Sequence, residues 1–266
     1  MNELHITSRQ NERVKAAAKL RSARQRAKQG RILIDGARQI TRAVSAGIGI
    51  VEGYVCPSLV DSPERIAAAE SLRQAAETFA TVTAEVYAKL AFGELEDGVV
   101  AVARTPQRGL SELTLPPRPL VAVLEGLEKP GNVGAILRTA DGAGLDAVIV
   151  ANGRTDLFNP NTIRASLGAV FAANVCSATV DETLAQLRAW RLPIVAARPD
   201  AERLYTEIDF RGGAAILLGS EAAGLSPAWQ GDTITAVKLS MRGLVDSLNV
   251  SATAAVLFYE AQRQRG

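Results

Sequence analysis

The 266-residue chain contains a single histidine, His5, and two cysteines, Cys56 and Cys176, and its aromatic content is only 5%. One histidine leaves no basis for a Ser-His-Asp triad or a His-ligated zinc, and no metal site is expected. Two cysteines cannot build a disulfide framework, which suits a reducing cytoplasm. Neither has a basic or histidine neighbour that would make it a thiolate nucleophile, so both read as core residues. No apolar run approaches the ~18 residues of a membrane span. The N-terminal stretch MNELHITSRQNERVK lacks the apolar centre of a signal peptide, and His5 is expected in a loose terminus. Whatever chemistry the chain performs is done without histidine.

What is present is a globular composition, 47% hydrophobic and 22% charged, in a length that suits about two domains. The net charge of +2 hides an asymmetry. Residues 1–31 carry nine cations, Arg9, Arg13, Lys15, Lys19, Arg21, Arg24, Arg26, Lys28 and Arg31, against Glu3 and Glu12. The rest of the chain is therefore net acidic. Solvated helices usually interleave signs at i±4, and no acid does so across Lys15–Arg31. A basic block of this kind points to a polyanion, and its lack of aromatics favours grip on phosphate and shape over base stacking.

Four prolines mark the stretch 104–119 as the boundary between two segments. The expected organisation is an N-terminal domain over 1–104, a Pro-rich linker over 105–119 and a second domain over 120–266. In the first, a basic helix over about 11–29 leads to a strand at 32–35. A helix at 37–46, a strand at 50–55, a helix at 62–76, a strand near 79–83, a helix near 85–91 and an apolar run at 98–102 follow. The alternation predicts a small α/β/α sandwich. In the second, the strand candidates are 120–124, 147–150, 173–176, 194–196, 214–218 and 236–239. Most are continuous apolar runs, as expected of a mostly parallel sheet covered on both faces. A long helix over about 247–263 closes the chain.

Three strand-to-loop junctions of the second domain carry unusual chemistry. In LEGLEKPGNVGAILRTADGAG, residues 124–144, Asn132 reads as the N-cap of a helix that carries Arg138 a little under two turns further on. In AAILLGSEAAGLS, residues 214–226, a fully apolar strand ends in Gly219-Ser220-Glu221; glycine there permits close approach of a ligand, and a carboxylate so placed needs a partner. In VKLSMRGLVDSLNVSATAAVLFYEA, residues 237–261, Ser247 reads as the N-cap of the terminal helix, leaving Asn249 in its first turn with no capping role. Each stretch alone is a weak signal and reads as an ordinary cap, turn or helix start. No G-x-G-x-x-G follows an early strand and GNVGAI lacks the Lys-Ser/Thr of a phosphate loop, which disfavours a dinucleotide enzyme or a P-loop ATPase.

Taken together, in this order and spacing, the three stretches resemble the SpoU/TrmH branch of the SPOUT RNA methyltransferases. The first motif is matched by Asn132, Gly134 and Arg138, the second by Gly219-Ser220-Glu221 with Gly224, and the third by Ser247-Leu248-Asn249. The match is close over about residues 118–264. One departure is Ser240 before Met241, where members often have proline. The N-terminal part resembles, more loosely, the family's RNA-gripping α/β/α domain.

The resemblance implies an α/β catalytic domain with a deep trefoil knot. It implies S-adenosylmethionine held by Leu218, Gly219, Leu239, Met241 and Leu248, and methyl transfer to a ribose 2′-hydroxyl. Arg138 would be the central catalytic residue; because guanidinium stays charged, its expected role is to hold phosphate and stabilise the forming alkoxide. Asn132 and Asn249 would position the ribose and Arg138, Glu221 would pair with Arg138 or hold its loop, and Ser247 would lie near the reacting hydroxyl. Arg9, Arg13, Lys15, Lys19, Arg21 and Arg24 would contact RNA. A homodimer is implied, as is structured RNA as substrate, ribosomal RNA of the large subunit first; some members confer resistance to ribosome-targeting antibiotics. The competing readings are a tRNA 2′-O-methyltransferase, a base-nitrogen methyltransferase, and a non-catalytic RNA-binding or ribosome-assembly factor.

Overall fold

The computed structural model describes residues 3–92, 96–172, 174–231 and 233–266. The chain divides into two compact units, Met1–Gln107 with Phe158–Ala172, and Arg108–Leu157 with Ala173–Gly266. Among the described residues no helix is long and apolar enough to cross a membrane.

The first unit runs β1 (Leu4–Ile6), α1 (Glu12–Lys19), α2 (Ala23–Gln29), β2 (Arg31–Asp35), α3 (Ala37–Ser45), β3 (Ile50–Val55), α4 (Pro63–Ala75), β4 (Thr78–Val82), α5 (Ala84–Leu90) and β5 (Val99–Arg104). Its sheet has the order β1-β4-β3-β5-β2; β1, β4 and β3 are parallel, while β5 runs antiparallel to both β3 and β2. The predicted alternation of 32–102 is present with ends moved by one or two residues. The terminus differs: Leu4–Ile6 pair with Ala80–Val82, and His5 Nδ1 lies 3.1 Å from Thr81 Oγ1. A three-residue strand is too short to show period-2 alternation, which is why the sequence reads as loose there. The predicted single basic helix is two. Leu20 closes α1 and its side chain is buried in the core with Val14 and Ala17, and the chain turns before Ala23. Burying one such Leu or Val contributes roughly 1.5–3 kcal/mol, enough to favour a turn that points all three inward.

The second unit contributes β6 (Leu120–Glu125), α6 (Pro130–Gly142), β7 (Ala147–Ala151), β8 (Val175–Ala178), α8 (Val180–Ala189), β9 (Ile194–Ala197), β10 (Ala214–Leu218), β11 (Ile234–Val237) and α9 (Val250–Arg265). Between β7 and β8 in sequence, α7 (Pro160–Ala165) belongs to the first unit, where Arg164 reaches the Phe92 carbonyl and, at 3.2 Å, Asp35 at the end of β2. Both α7 and α8 escaped the sequence reading. The former is too short for a helical period; the latter opens with a capping box, Thr179 with Glu182, that periodicity alone does not register.

All strand pairs of the second sheet are parallel, in the order β11-β9-β10-β6-β7-β8. Every residue of β6, β7 and β10 is buried, as continuous Val, Leu, Ile and Ala runs require. The predicted strand 173–176 is β8 displaced by two residues, Ala173 lying outside the described residues, and 236–239 is β11 displaced toward its N-terminus. Leu110, Leu113 and Leu115 of the Pro-rich stretch pack on this core, so that segment covers part of a sheet face. Chain order progresses from β6 outward to β8 and then resumes at β9, with β10 inserted against β6. Parallel α/β sheets bind ligands beyond the carboxyl ends of strands at such a reversal.

Candidate active site

The three motif loops meet beyond the carboxyl ends of β6, β10 and β11. Their meeting point is the Glu221 carboxylate. Its Oε1 accepts from Asn132 Nδ2 at 2.9 Å and from Asn249 Nδ2 at 2.6 Å, and its Oε2 accepts from Lys129 Nζ at 2.6 Å. The Val250 backbone N–H, at the start of α9, also donates to it. Lys129 is the largest cause of a Glu221 pKa held below the usual carboxylate value; the Asn132 amide and the Val250 N–H act in the same direction, against partial burial. Glu221 is therefore an ionised acceptor that gathers donors from all three motifs.

Two caps differ from expectation. Asn132 is the third residue of α6, whose N-cap is Lys129 followed by Pro130; helix geometry starting at Pro130 frees the Asn132 amide to face Glu221. Asn249 is the N-cap of α9, with Oδ1 accepting from Ser251 N at 2.9 Å and Ser251 Oγ at 2.6 Å. Its Nδ2 is thereby left for Glu221, so a residue that looked misplaced inside a helix serves the helix and the carboxylate with its two ends. Ser247 lies two residues before that cap and is exposed.

A cavity of about 290 Å³ opens beside this cluster. Leu218, Gly219, Leu239, Met241 and Leu248 line it, with Ser220, Glu221, Gly224, Ser247 and Val250. Arg198, Lys238 and Asp246 also line it, charges the sequence reading did not single out; Arg198 is held by a two-pronged bond to Asp200, Nε–Oδ1 3.0 Å and Nη2–Oδ2 2.7 Å. Gly219 has a reason beyond ligand access. A Cβ there would lie 2.5 Å from the Gly224 carbonyl carbon and 2.7 Å from Leu225 N, because Ser220 and Gly224 pair through both backbone N–H groups. A second cavity is lined by Leu127, Glu128, Lys129, Asn132, Ser220, Glu221 and Ala222, so Glu221 and Ser220 form the wall common to both.

Arg138 is not part of this arrangement. It is exposed on α6, lines neither cavity and makes no hydrogen bond or ion pair among the described residues. Of the two roles expected for Glu221, pairing with Arg138 or holding its loop, the pair is not formed within the chain: the lysine one residue before the helix reaches the carboxylate, while Arg138 lies more than two turns along it.

Residues 119–259 match the SpoU rRNA methylase family profile, and residues 11–101 match the MRM3-like substrate binding domain. The chain belongs to the SpoU rRNA methylase family. Among its relatives, a 23S rRNA uridine 2′-O-methyltransferase of Streptomyces viridochromogenes is 31% identical over 98% of this chain and 92% of its own length. A crystal structure described as an RNA 2′-O ribose methyltransferase is 42% identical, covers 98% of this chain and 99% of its own, and superposes with a TM-score of 0.85. The SpoU methyltransferase AviRb of S. viridochromogenes, solved in complex with the cofactor AdoMet, is 27% identical over 96% of this chain and 98% of its own, with a TM-score of 0.85.

In the first unit of this SpoU methylase, the basic segment divides into two groups. Arg13 Nη1 bonds Glu52 at 2.7 Å, Lys15 bonds Glu12 at 3.0 Å, and Arg21 donates to the carbonyls of Lys89 and Ala91. Arg26 is buried against the Leu20 and Arg21 carbonyls. Arg13, just before the stretch without interleaved acids, is thus paired through space by β3, and Lys15 by Glu12 of its own helix. Arg9, Lys19, Arg24 and Lys28 are exposed, and their side chains make no hydrogen bond or ion pair among the described residues. Cys56 and Cys176 are buried and unpaired, and burial pushes the Cys176 thiol up to about 11.

Proposed function

We propose that the chain transfers a methyl group from S-adenosylmethionine to a ribose 2′-hydroxyl of ribosomal RNA, in the large subunit, working as a homodimer in the cytoplasm. The observation that carries this reading is the Glu221 carboxylate, which joins Asn132, Asn249 and Lys129 at the wall of the cavity lined by Gly219, Leu239, Met241 and Leu248. The donor set suits the cofactor. Leu218, Leu239, Met241 and Leu248 offer aliphatic faces for a flat base, strand-end backbone groups offer hydrogen bonds, and Arg198, Glu221 and Asp246 offer charges of both signs for a zwitterionic, cationic ligand. When bound, S-adenosylmethionine supplies a methyl already activated by a positively charged sulfur.

The protein's part is to orient the ribose hydroxyl and stabilise negative charge as it forms. Asn132 and Asn249 are held rigidly by Glu221, which suits them to positioning. Arg138 is exposed and unpaired in one chain, which favours a role in which it meets the reacting hydroxyl at the site of a second copy. The exposed Leu244, Val245 and Leu248 on the loop before α9 support a second copy covering this face, as does half-exposed Tyr259 on α9. The same reading includes the trefoil knot, supported by the convergence of the loops after β10 and β11 on one cavity. Free Arg9, Lys19 and Arg24 suit phosphate contact, with Arg13, Lys15 and Arg21 nearer structural duty. Ribosomal RNA is favoured over tRNA by the substrates in the names of full-length relatives.

The test is incubation of the protein with radiolabelled methyl donor and either bare ribosomal RNA or assembled subunits, with primer extension at low nucleotide concentration to find the modified position. Label in large-subunit RNA and a stop that depends on nucleotide concentration are expected. Label in a base or in tRNA alone, or no binding of S-adenosylmethionine by calorimetry, overturns the reading.

A further inference from the structure

We infer that Lys129 is a positioning residue of the methyl-transfer site: its ammonium fixes the Glu221 carboxylate so that a single oxygen accepts both Asn132 and Asn249. The inference rests on the function proposed above and adds a residue to it.

Two independent observations carry it. The first is local and unfavourable. Lys129 is the N-cap of α6, a position that prefers Ser, Thr, Asp or Asn; it has no side-chain oxygen to cap the helix, and its charge lies at the positive end of the helix dipole. A local rule broken without local gain points to a demand set elsewhere. The second is the geometry of the carboxylate. A free Glu side chain in a loop samples several rotamers and offers four lone-pair directions. Here Lys129 Nζ takes Oε2 at 2.6 Å, on the side away from the amides, and leaves Oε1 to the two Asn Nδ2 groups at 2.9 and 2.6 Å. Two amides alone could share one oxygen or take one each, so the carboxylate plane would be free to turn between those arrangements. With the ammonium holding Oε2, both amides are left to Oε1.

The pair is not a stability device. The Lys129 side chain is 70% exposed and that of Glu221 31%, and exposed pairs contribute little to folding. Lys129 therefore acts on the order of the site. The groups facing Glu221 are Lys129 and Asn132 from α6 and its N-cap, Asn249 and the Val250 N–H from α9, and Ser220 from its own loop; Glu128, beside Lys129, is paired with Arg154 at 2.5 Å. Lys129 is the only cation among them that bonds the carboxylate, and it is the largest cause of the lowered Glu221 pKa.

The experiment compares wild type, K129M and K129R by kcat, KM for RNA, calorimetric Kd for S-adenosylmethionine, pH profile and thermal midpoint. K129M keeps the methylene stem and loses the charge. Expected for K129M are a kcat lower by about tenfold, an unchanged thermal midpoint, and an acid limb of kcat moved to higher pH because the carboxylate protonates more readily. K129R, which keeps a donor at Oε2, is expected to recover most of the rate. Wild-type kcat and an unmoved acid limb in K129M overturn the inference. So does a loss that K129R does not rescue, or one that follows the thermal midpoint. Failure of the wild type itself to methylate RNA overturns the proposed function instead, so the two failures are distinct.

Discussion

Asn132 and Asn249 donate to the same oxygen, Oε1 of Glu221, although they belong to different helices at opposite ends of the catalytic unit's sequence. One amide lies in the first turn of α6 and the other caps α9, and those two helices pack together. The shared oxygen is the point at which two helix starts and the loop after β10 are brought to one geometry.

Removing that oxygen pair should dismantle the site and leave the fold standing. For E221A we expect kcat to fall by roughly 100-fold, with a thermal midpoint within a few degrees of wild type, because the lost bonds lie at a partly exposed surface. Steady-state kinetics and a melting curve measure both quantities. A variant that retained wild-type kcat would show that the carboxylate has no part in turnover.

R138A should lose turnover while its calorimetric affinity for S-adenosylmethionine is unchanged, since Arg138 does not line the cavity. Mixing R138A with E221A subunits should restore part of the activity if Arg138 serves the site of the other copy. Restored activity in the mixture, with neither variant active alone, is the expected result, and a monomer at micromolar concentration in ultracentrifugation would count against it.

G219A should abolish cofactor binding. Its added methyl would meet the backbone of Gly224 and Leu225 at 2.5–2.7 Å, and backbone held by the Ser220–Gly224 pairing cannot yield as a flexible side chain would. Calorimetry with S-adenosylmethionine checks this directly.

The basic segment should separate by function. R24A is expected to weaken RNA binding and reduce the salt slope of log K by nearly one, as loss of one phosphate contact does. R21A removes donors to the Lys89 and Ala91 carbonyls and is expected to destabilise the first unit by about 1–2 kcal/mol. Binding isotherms at several salt concentrations and denaturant melts distinguish the two.

Burial pushes the Asp35 carboxyl from an ordinary 3.8 up to about 6, although the Phe92 N–H and Arg164 pull the other way. Between those two values the native state holds a proton that the unfolded state has released, so stability falls as pH rises from about 4 to 6 and is level above. The span corresponds to something on the order of 3 kcal/mol. D35N removes the titration and should therefore gain stability relative to wild type as pH rises through that window. Denaturant midpoints of both proteins at pH 4.5 and 7 test it; parallel curves would contradict the assignment.

Much of this was legible from residue types in order. The continuous runs of β6, β7 and β10 announce strands buried on both faces, and their loops carry the residues that identify the family. Periodicity could not register β1, at three residues, or α7, at six. It also misplaced both caps. Whether Ser247 or Asn249 caps α9 depends on where the helix first packs against α6, and both residue types are competent caps.

The sequence by itself determined which groups are available: amides at 132 and 249, a carboxylate at 221, guanidinium at 138, glycine where two backbone strands must touch, and a basic N-terminal segment. Only the tertiary structure decided who pairs with whom. Glu221 takes Lys129 in place of Arg138, and Arg13 and Arg21 turn to Glu52 and to backbone carbonyls. The physical reason is range. Chain order sets local torsions and one-dimensional spacing, whereas a hydrogen bond is decided within about 3 Å by where separate helices and loops come to rest.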